Sequence, residues 1–159
     1  MYFSVVESPV GNILLKSDGI SLCGLEFSPF EYPVENITNN LPLFDLVKDQ
    51  LRGYFKGEIQ TFTVPLNFQG TPFQLKVWRE VQRIPYGTTL TYMQLAERVG
   101  DVKAIRAVGR ANGQNPIPIL IPCHRVIGSN GKLIGYGGGI ERKLFLLELE
   151  SGGLFQQSI

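Results

Sequence analysis

The stretch Asn115-Pro-Ile-Pro-Ile-Leu-Ile-Pro-Cys-His-Arg-Val126 restricts this chain more than any other part of it. Prolines at 116, 118 and 122 lack an amide donor, fix φ, and bias the preceding residue toward extended backbone, so no helix runs through the segment. The intervening Ile-Leu-Ile demands burial. These features predict a rigid, extended, buried connection that delivers Cys123 to a fixed place. A chain of 159 residues, 43% hydrophobic and 18% charged, has the composition of an ordinary globular protein and room for a sizeable core.

Around that segment the sequence divides at Thr71 into two expected domains, 1–70 and 71–159. The first reads as strands and turns: YFSVVE, SPVGN, ILLKS, DG and ISLCGLEF, apolar runs bounded by Pro, Gly, Asn and Asp, which predict a small antiparallel sheet. A polar loop around Asn36–Asn40 precedes Leu43–Tyr54, where Leu43, Val47, Leu51 and Phe55 fall at helical spacing with Leu46 and Tyr54 beside them. Gly53 and Gly57 mark its end. In the second domain, Thr71-Pro72-Phe73-Gln74 is a capping box with proline at the first helical position, followed by Phe73, Val77, Val81 and Ile84 on one face. Pro85-Tyr86-Gly87 stops that helix. A second capping box, Thr91–Gln94, opens a short helix ending at Gly100, and Val102–Asn112 forms another after a tight turn, which together predict a helix-turn-helix. Ile140–Glu150 closes the domain as a helix with Ile140, Leu144 and Leu147 together. The tail after Ser151 is expected to be loosely ordered.

Charge is unevenly spread. Residues 1–70 carry four Lys and Arg against eight Asp and Glu, a balance of −4, whereas 71–159 carry eleven against six, a balance of +5. A basic second half suits a phosphate-bearing partner, although an excess this small is also common on ordinary surfaces. No apolar run reaches membrane-spanning length and the start carries no secretory pattern, so an intracellular, cytoplasmic protein with no membrane partner is expected. Cys23 and Cys123 are then expected as free thiols. A single histidine argues against a structural zinc, and no metal is expected.

A buried cysteine is by default an inert small hydrophobe. Here the only histidine follows it and Arg125 comes next, which places a proton acceptor and a permanent positive charge beside the thiol. Adjacent side chains point in different directions, so a water is expected to bridge His124 and the sulfur. The far imidazole nitrogen needs an orienting acceptor, and spacing leaves Glu80, Glu97, Asp101, Glu141, Glu148 and Glu150 all open. Two further features carry weight. Ala104, Ala107, Val108 and Ala111, with Gly109 and Gly113, form a small-residue stripe suited either to helix packing or, with Lys103, Arg106 and Arg110, to close approach to a nucleic-acid groove. Gly135-Tyr136-Gly137-Gly138-Gly139 lacks the residues of a phosphate loop and suits a close-approach loop bearing one aromatic, or a capping loop with Tyr136 in the core. The Cys-His pair alone also fits a cysteine hydrolase, and the helix-turn-helix alone a regulator without chemistry.

Taken together, Ile121-Pro-Cys-His-Arg-Val126 with Pro85-Tyr-Gly, Thr91-Tyr92, Arg106-Ala-Val-Gly109, Asn115-Pro116, Gly135-Tyr136, Gly138-Gly139 and Leu146-Leu-Glu148-Leu-Glu150 resembles the O6-alkylguanine-DNA alkyltransferases, the methylated-DNA-protein-cysteine methyltransferase family. The match covers Thr71 to about Glu150. The resemblance implies Cys123 as alkyl acceptor, His124 as general base through a water, Glu150 as the acid orienting His124, and Asn115 as a brace for the active-site turn. It implies double-stranded DNA containing O6-alkylguanine as partner and extrusion of the lesion from the minor groove, because the alkylated oxygen cannot be reached squarely inside the duplex. Arg106 would enter the base stack, Tyr92 would rotate the target's phosphate, and Ala107, Gly109, Arg110 and Arg125 would belong to the DNA- and substrate-binding surface. Tyr136 would contact the flipped base, while the Cys123 and Val126 carbonyls and the Gly137 amide would read its polar edge. Gly137 stands where some members carry serine, which widens the pocket, and the zinc ligands of some members have no counterparts here. The implied product is a thioether, formed once per molecule without cofactor by a monomeric protein. O4-alkylthymine is a further expected substrate. The implied fold is an α/β, RNase H-like N-terminal domain, a small antiparallel sheet plus helix, followed by a mostly α-helical C-terminal domain with a winged-helix-like helix-turn-helix.

Overall fold

The computed structural model describes residues 1–30, 37–38 and 40–153. Two compact units divide at Phe68 and Gln69. In the first, β1 (Tyr2–Val6), β2 (Ile13–Ser17) and β3 (Leu22–Phe27) form an antiparallel sheet in the order β1-β2-β3. The register pairs Ser4 with Leu15 and Leu15 with Leu25. Ile13, Leu14 and Leu15 are all fully buried, so β2 is covered on both faces rather than alternating in and out. Both sheet edges gain partners: Thr38 donates to the Phe3 carbonyl at 2.7 Å, and Leu22 donates to the Pro65 carbonyl at 2.8 Å. β3 begins two residues later than its apolar run suggests, because the Asp18 carboxylate accepts the amides of Ile20 and Ser21 and closes a turn there, leaving Ile20 exposed.

Helix α1 (Pro42–Phe55) buries Leu43, Phe44, Val47, Leu51 and Tyr54. Leu46, expected on the inward face, is exposed, and Phe44 takes its place in the core. Gly53 lies inside the helix, where Ile59 packs against its Cα and would sit 3.4 Å from an added Cβ. The chain leaves the helix at Lys56 and turns at Gly57, whose φ of 75° favours glycine. Of the predicted polar loop at 36–40, residues 36 and 39 lie outside the described residues, as does the whole tail from 154 onward.

The second unit is helical. Its first helix, α2 (Pro72–Gln82), carries both hydrogen bonds of the Thr71–Gln74 capping box. Val77, Trp78 and Val81 form its buried face. Phe73 is only half-buried, and Trp78 fills the position that periodicity gave to it, donating Nε1–H to the Ala111 carbonyl at 2.8 Å. Helix α3 (Tyr92–Val99) opens on the second capping box and ends at Gly100, φ 101°. The following segment begins as a 3₁₀ turn, Val102–Ala104, with the Asp101 carboxylate capping Lys103, and only then becomes α4 (Ile105–Gly113). Leu90–Thr91 (β4) and Val126–Ile127 (β5) form a short parallel pair that fixes the chain leaving the proline-rich segment beside the start of α3. Helix α5 (Ile140–Glu150) turns Lys143, Leu146, Leu147 and Glu150 inward, a stripe at i, i+3, i+4 and i+7. Ile140 is exposed and Leu144 packs on a small cluster of Ile127, Leu133 and Leu147. Among the described residues no helix is long and apolar enough to cross a membrane.

Candidate active site around Cys123

The proline-framed segment does bury its Ile117, Ile119 and Ile121 side chains, but it is tightly turned rather than extended. Ile121 donates to the Ile117 carbonyl at 2.9 Å, and Ile119 takes a φ of 75°, strained for a β-branched residue. Asn115 holds this turn from inside: Oδ1 accepts the Ile117 amide at 2.9 Å and Nδ2 donates to the Ile121 carbonyl at 2.6 Å. Pro122 then releases the chain into a single 3₁₀ turn, Cys123–Arg125, all three residues of which are buried.

That turn sends three neighbouring side chains to three destinations. Cys123 is 5% exposed, and burial pushes its thiol up to about 11, so it is protonated at neutral pH. His124 is fully buried and shares a 2.7 Å hydrogen bond between Nε2 and Glu150 Oε2. With Glu150 ionised, Nε2 carries the proton and Nδ1 presents a lone pair. Nδ1 is buried and has no partner among the described residues. Burial above all lowers His124 from 6.5, with the nearby positive charges acting the same way and Glu150 opposing them, so the imidazole is neutral. Arg125 turns inward and is 7% exposed. Its Nε donates to Glu150 Oε1 at 2.7 Å, a second nitrogen to Oε2 at 3.0 Å, and a third to the Ile84 carbonyl at 2.7 Å. Its positive charge is therefore committed to Glu150 rather than to the thiol. Burial raises Glu150, but hydrogen bonds from His124 and Arg125 outweigh it and hold the carboxyl well below the usual range.

Two residues with no sequence signal complete the centre. The Lys143 amine is buried, donates to the Ile134 carbonyl at 3.0 Å and lies 5.8 Å from the Tyr92 ring centroid. Burial, partly offset by the neighbouring Cys123, brings it down to about 8. Asn112 donates from Nδ2 to the Cys123 carbonyl at 3.2 Å. Periodicity gave no hint of either, since a lysine and an asparagine on an inward helical face read as polar interruptions.

The remaining predicted residues separate by exposure. Arg106, Ala107 and Arg110 are exposed on α4, while Val108 and Ala111 are buried against the rest of the unit, so the small-residue stripe serves packing on one side and leaves the basic side free. Gly109 allows the Tyr92 ring to approach, 3.5 Å from where a Cβ would stand. Tyr92 donates its hydroxyl to the Ile134 carbonyl at 2.9 Å. Burial and the nearby Cys123 raise its phenol, and a hydrogen bond from Asn112 acts the other way. Val126 is buried at the end of the 3₁₀ turn, Gly137 is exposed, and half-buried Tyr136 has its phenol raised well above its usual value by burial.

Fold and centre together define a cysteine-nucleophile protein: a thiol on a braced turn, a neutral imidazole, an orienting carboxylate, and a helix-turn-helix beside them. Two family models match the chain, the 6-O-methylguanine DNA methyltransferase ribonuclease-like domain over residues 1–68 and the DNA binding domain of the same family over 72–152. A methylated-DNA–protein-cysteine methyltransferase of Methanosarcina acetivorans is 46% identical over 153 residues, spanning 94% of this chain and 98% of that protein. Its Mycobacterium tuberculosis counterpart is 45% identical, spanning 94% and 92%. The crystal structure of the Mycobacterium tuberculosis protein in complex with DNA aligns with a TM-score of 0.88 at 44% identity, covering 96% of this chain and 94% of that one. The chain belongs to the 6-O-methylguanine DNA methyltransferase family.

Proposed function

We propose that this protein repairs alkylated guanine in double-stranded DNA by direct reversal, transferring the alkyl group from O6 of the lesion to Cys123 Sγ. The observation that carries this reading is the His124 Nδ1 lone pair, buried and unpartnered within the turn that holds Cys123, while Nε2 is fixed by Glu150. A thiol held up near 11 needs such a base. Through a bridging water, His124 takes the Sγ proton as sulfur attacks the alkyl carbon. The S–C bond forms, the C–O6 bond breaks, and the departing guanine recovers the proton at N1. Glu150 stabilises the imidazolium that forms in between and holds its ring in place, and Arg125 fixes that carboxylate. A thioether has no acyl carbon for water to attack, so each molecule acts once and needs no cofactor.

The second domain, 71–159, is assigned DNA binding and alkyl acceptance, and the first, 1–70, an RNase H-like supporting role. The exposed Arg106, Ala107 and Arg110 of α4 suit entry into the minor groove, with Arg106 filling the gap left by the extruded base and Tyr92 guiding its phosphate. Tyr136, the Gly137 amide and the Val126 carbonyl border the space for that base. The protein acts as a cytoplasmic monomer, and O4-alkylthymine is its secondary substrate.

Intact mass after incubation with duplex DNA containing O6-methylguanine tests the reading. The expected result is one added methyl per molecule, mapped to Cys123 and absent in Cys123→Ser, which keeps DNA binding. Repeated ester or peptide cleavage with an unmodified Cys123 would instead establish a hydrolase.

A further inference from the structure

The link between α2 and β4 closes on the Arg125–Glu150 pair through Ile84, Tyr86 and Gly87. The Ile84 carbonyl accepts from Arg125 at 2.7 Å. Thr88 donates to the Pro85 carbonyl at 3.1 Å and so closes a tight turn, which brings the Gly87 amide to Glu150 Oε1 at 3.4 Å. Gly87 has a φ of 75°, and an added Cβ would stand 3.3 Å from the Glu150 carbonyl oxygen, so conformation and space both call for glycine there. Between them, half-buried Tyr86 meets the cation: Arg125 Cζ lies 5.7 Å over the centroid of its ring. Burial raises the Tyr86 phenol, Glu150 adds to that and Arg125 opposes it, so both charges of the pair act on this residue.

Each guanidinium nitrogen of Arg125 has a partner, Nε and one terminal nitrogen on Glu150 and the other on Ile84. Such a planar cation also stacks on an aromatic face, which the electron-rich ring of Tyr86 provides. Without that ring the long, flexible side chain would gain a route to water, and Glu150 would lose the partner that spans both of its oxygens. Building on the assignment of Glu150 to the orientation of His124, we propose that Tyr86 is a positioning residue: its ring holds Arg125 across Glu150 and so keeps the carboxylate aimed at His124 Nε2 while the thiol is deprotonated. Tyr86 thus acts on alkyl transfer through Arg125 and Glu150, not through contact with DNA or the alkyl group. Pro85-Tyr86-Gly87 thereby has a task beyond ending α2.

The test measures single-turnover methyl transfer, per folded molecule, from duplex DNA containing O6-methylguanine and from the free O6-methylguanine base. In Tyr86→Leu and Tyr86→Met the maximal rate should fall about tenfold on both substrates, the effect of losing a group that orients a catalytic partner, with the duplex concentration at half-maximal rate unchanged. Tyr86→Phe, which keeps the aromatic face, should stay within about twofold of wild type. Adding Tyr86→Leu to Glu150→Gln should slow transfer no further, since the relay it supports is already broken. Wild-type rates in both Tyr86→Leu and Tyr86→Met overturn the proposal, as does an equal loss in Tyr86→Phe. A loss confined to the duplex overturns it in favour of a contact with DNA, and an undiminished loss on top of Glu150→Gln in favour of a residue that only supports the fold. If Glu150→Gln alone transfers at the wild-type rate, the relay itself falls, and this proposal with it.

Discussion

Glu150 binds a neutral imidazole on one oxygen and a guanidinium across both. Removing one member of a buried pair costs more than the pair contributes, because the survivor stays buried and charged. Glu150→Gln should therefore do two separable things. Unfolding in urea should show a loss of about 3 kcal/mol as Arg125 loses its counter-charge, and methyl transfer by the folded fraction should slow at least tenfold as the His124 ring loses its orienting acceptor. An unchanged rate per folded molecule would take Glu150 out of the relay. Much of this centre was legible in the sequence, since Cys-His-Arg is contiguous and Glu150 follows from the family motif. Arg125 was read as facing substrate because residue type alone does not say which way a 3₁₀ turn will point an arginine. Lys143 and Asn112 escaped because burying a polar side chain depends on partners distant in the chain, here the Ile134 and Cys123 carbonyls.

Among the elements, both capping boxes, the three strands and the closing helix α5 were readable from local chemistry, because each is decided by residues within four positions of one another. The misplaced details have the same cause in reverse. The 3₁₀ start at Val102 follows from the Asp101 cap, and the turn that delays β3 follows from Asp18, side-chain to backbone bonds that compete with regular structure. Helix α4 divides its labour by face: Val108 and Ala111 inside, Arg106, Ala107 and Arg110 outside. Arg106→Ala should leave the fold intact and reduce repair in duplex DNA by about an order of magnitude, while reaction with free O6-methylguanine base stays unchanged. Equal losses on both substrates would rule out a role in holding the duplex open.

For the whole molecule, acid is the expected vulnerability. His124 is lowered from 6.5 in the folded state, so the unfolded chain binds the extra proton first, and stability declines as pH falls below that value. Glu150 is held below 4.5, so its contribution is present above that pH and is lost progressively beneath it. Thermal unfolding of the helical unit should show two successive losses in Tm on acidification, the second absent in Glu150→Gln; a Tm independent of pH between 7 and about 5 would contradict the first, and one that stays flat as pH falls below about 4.5 the second. The net charge of +1 conceals the opposed balances of the two halves, so added salt should weaken DNA binding through the basic half alone. The placement of Glu150 also has a consequence for how the protein comes into being. It is the last residue of α5 and stands 26 positions after His124. A ribosome therefore delivers the thiol and its imidazole well before the carboxylate that orients them, and the nascent chain emerges with its nucleophile unarmed. For a molecule that can act only once, synthesis itself sets the safety catch.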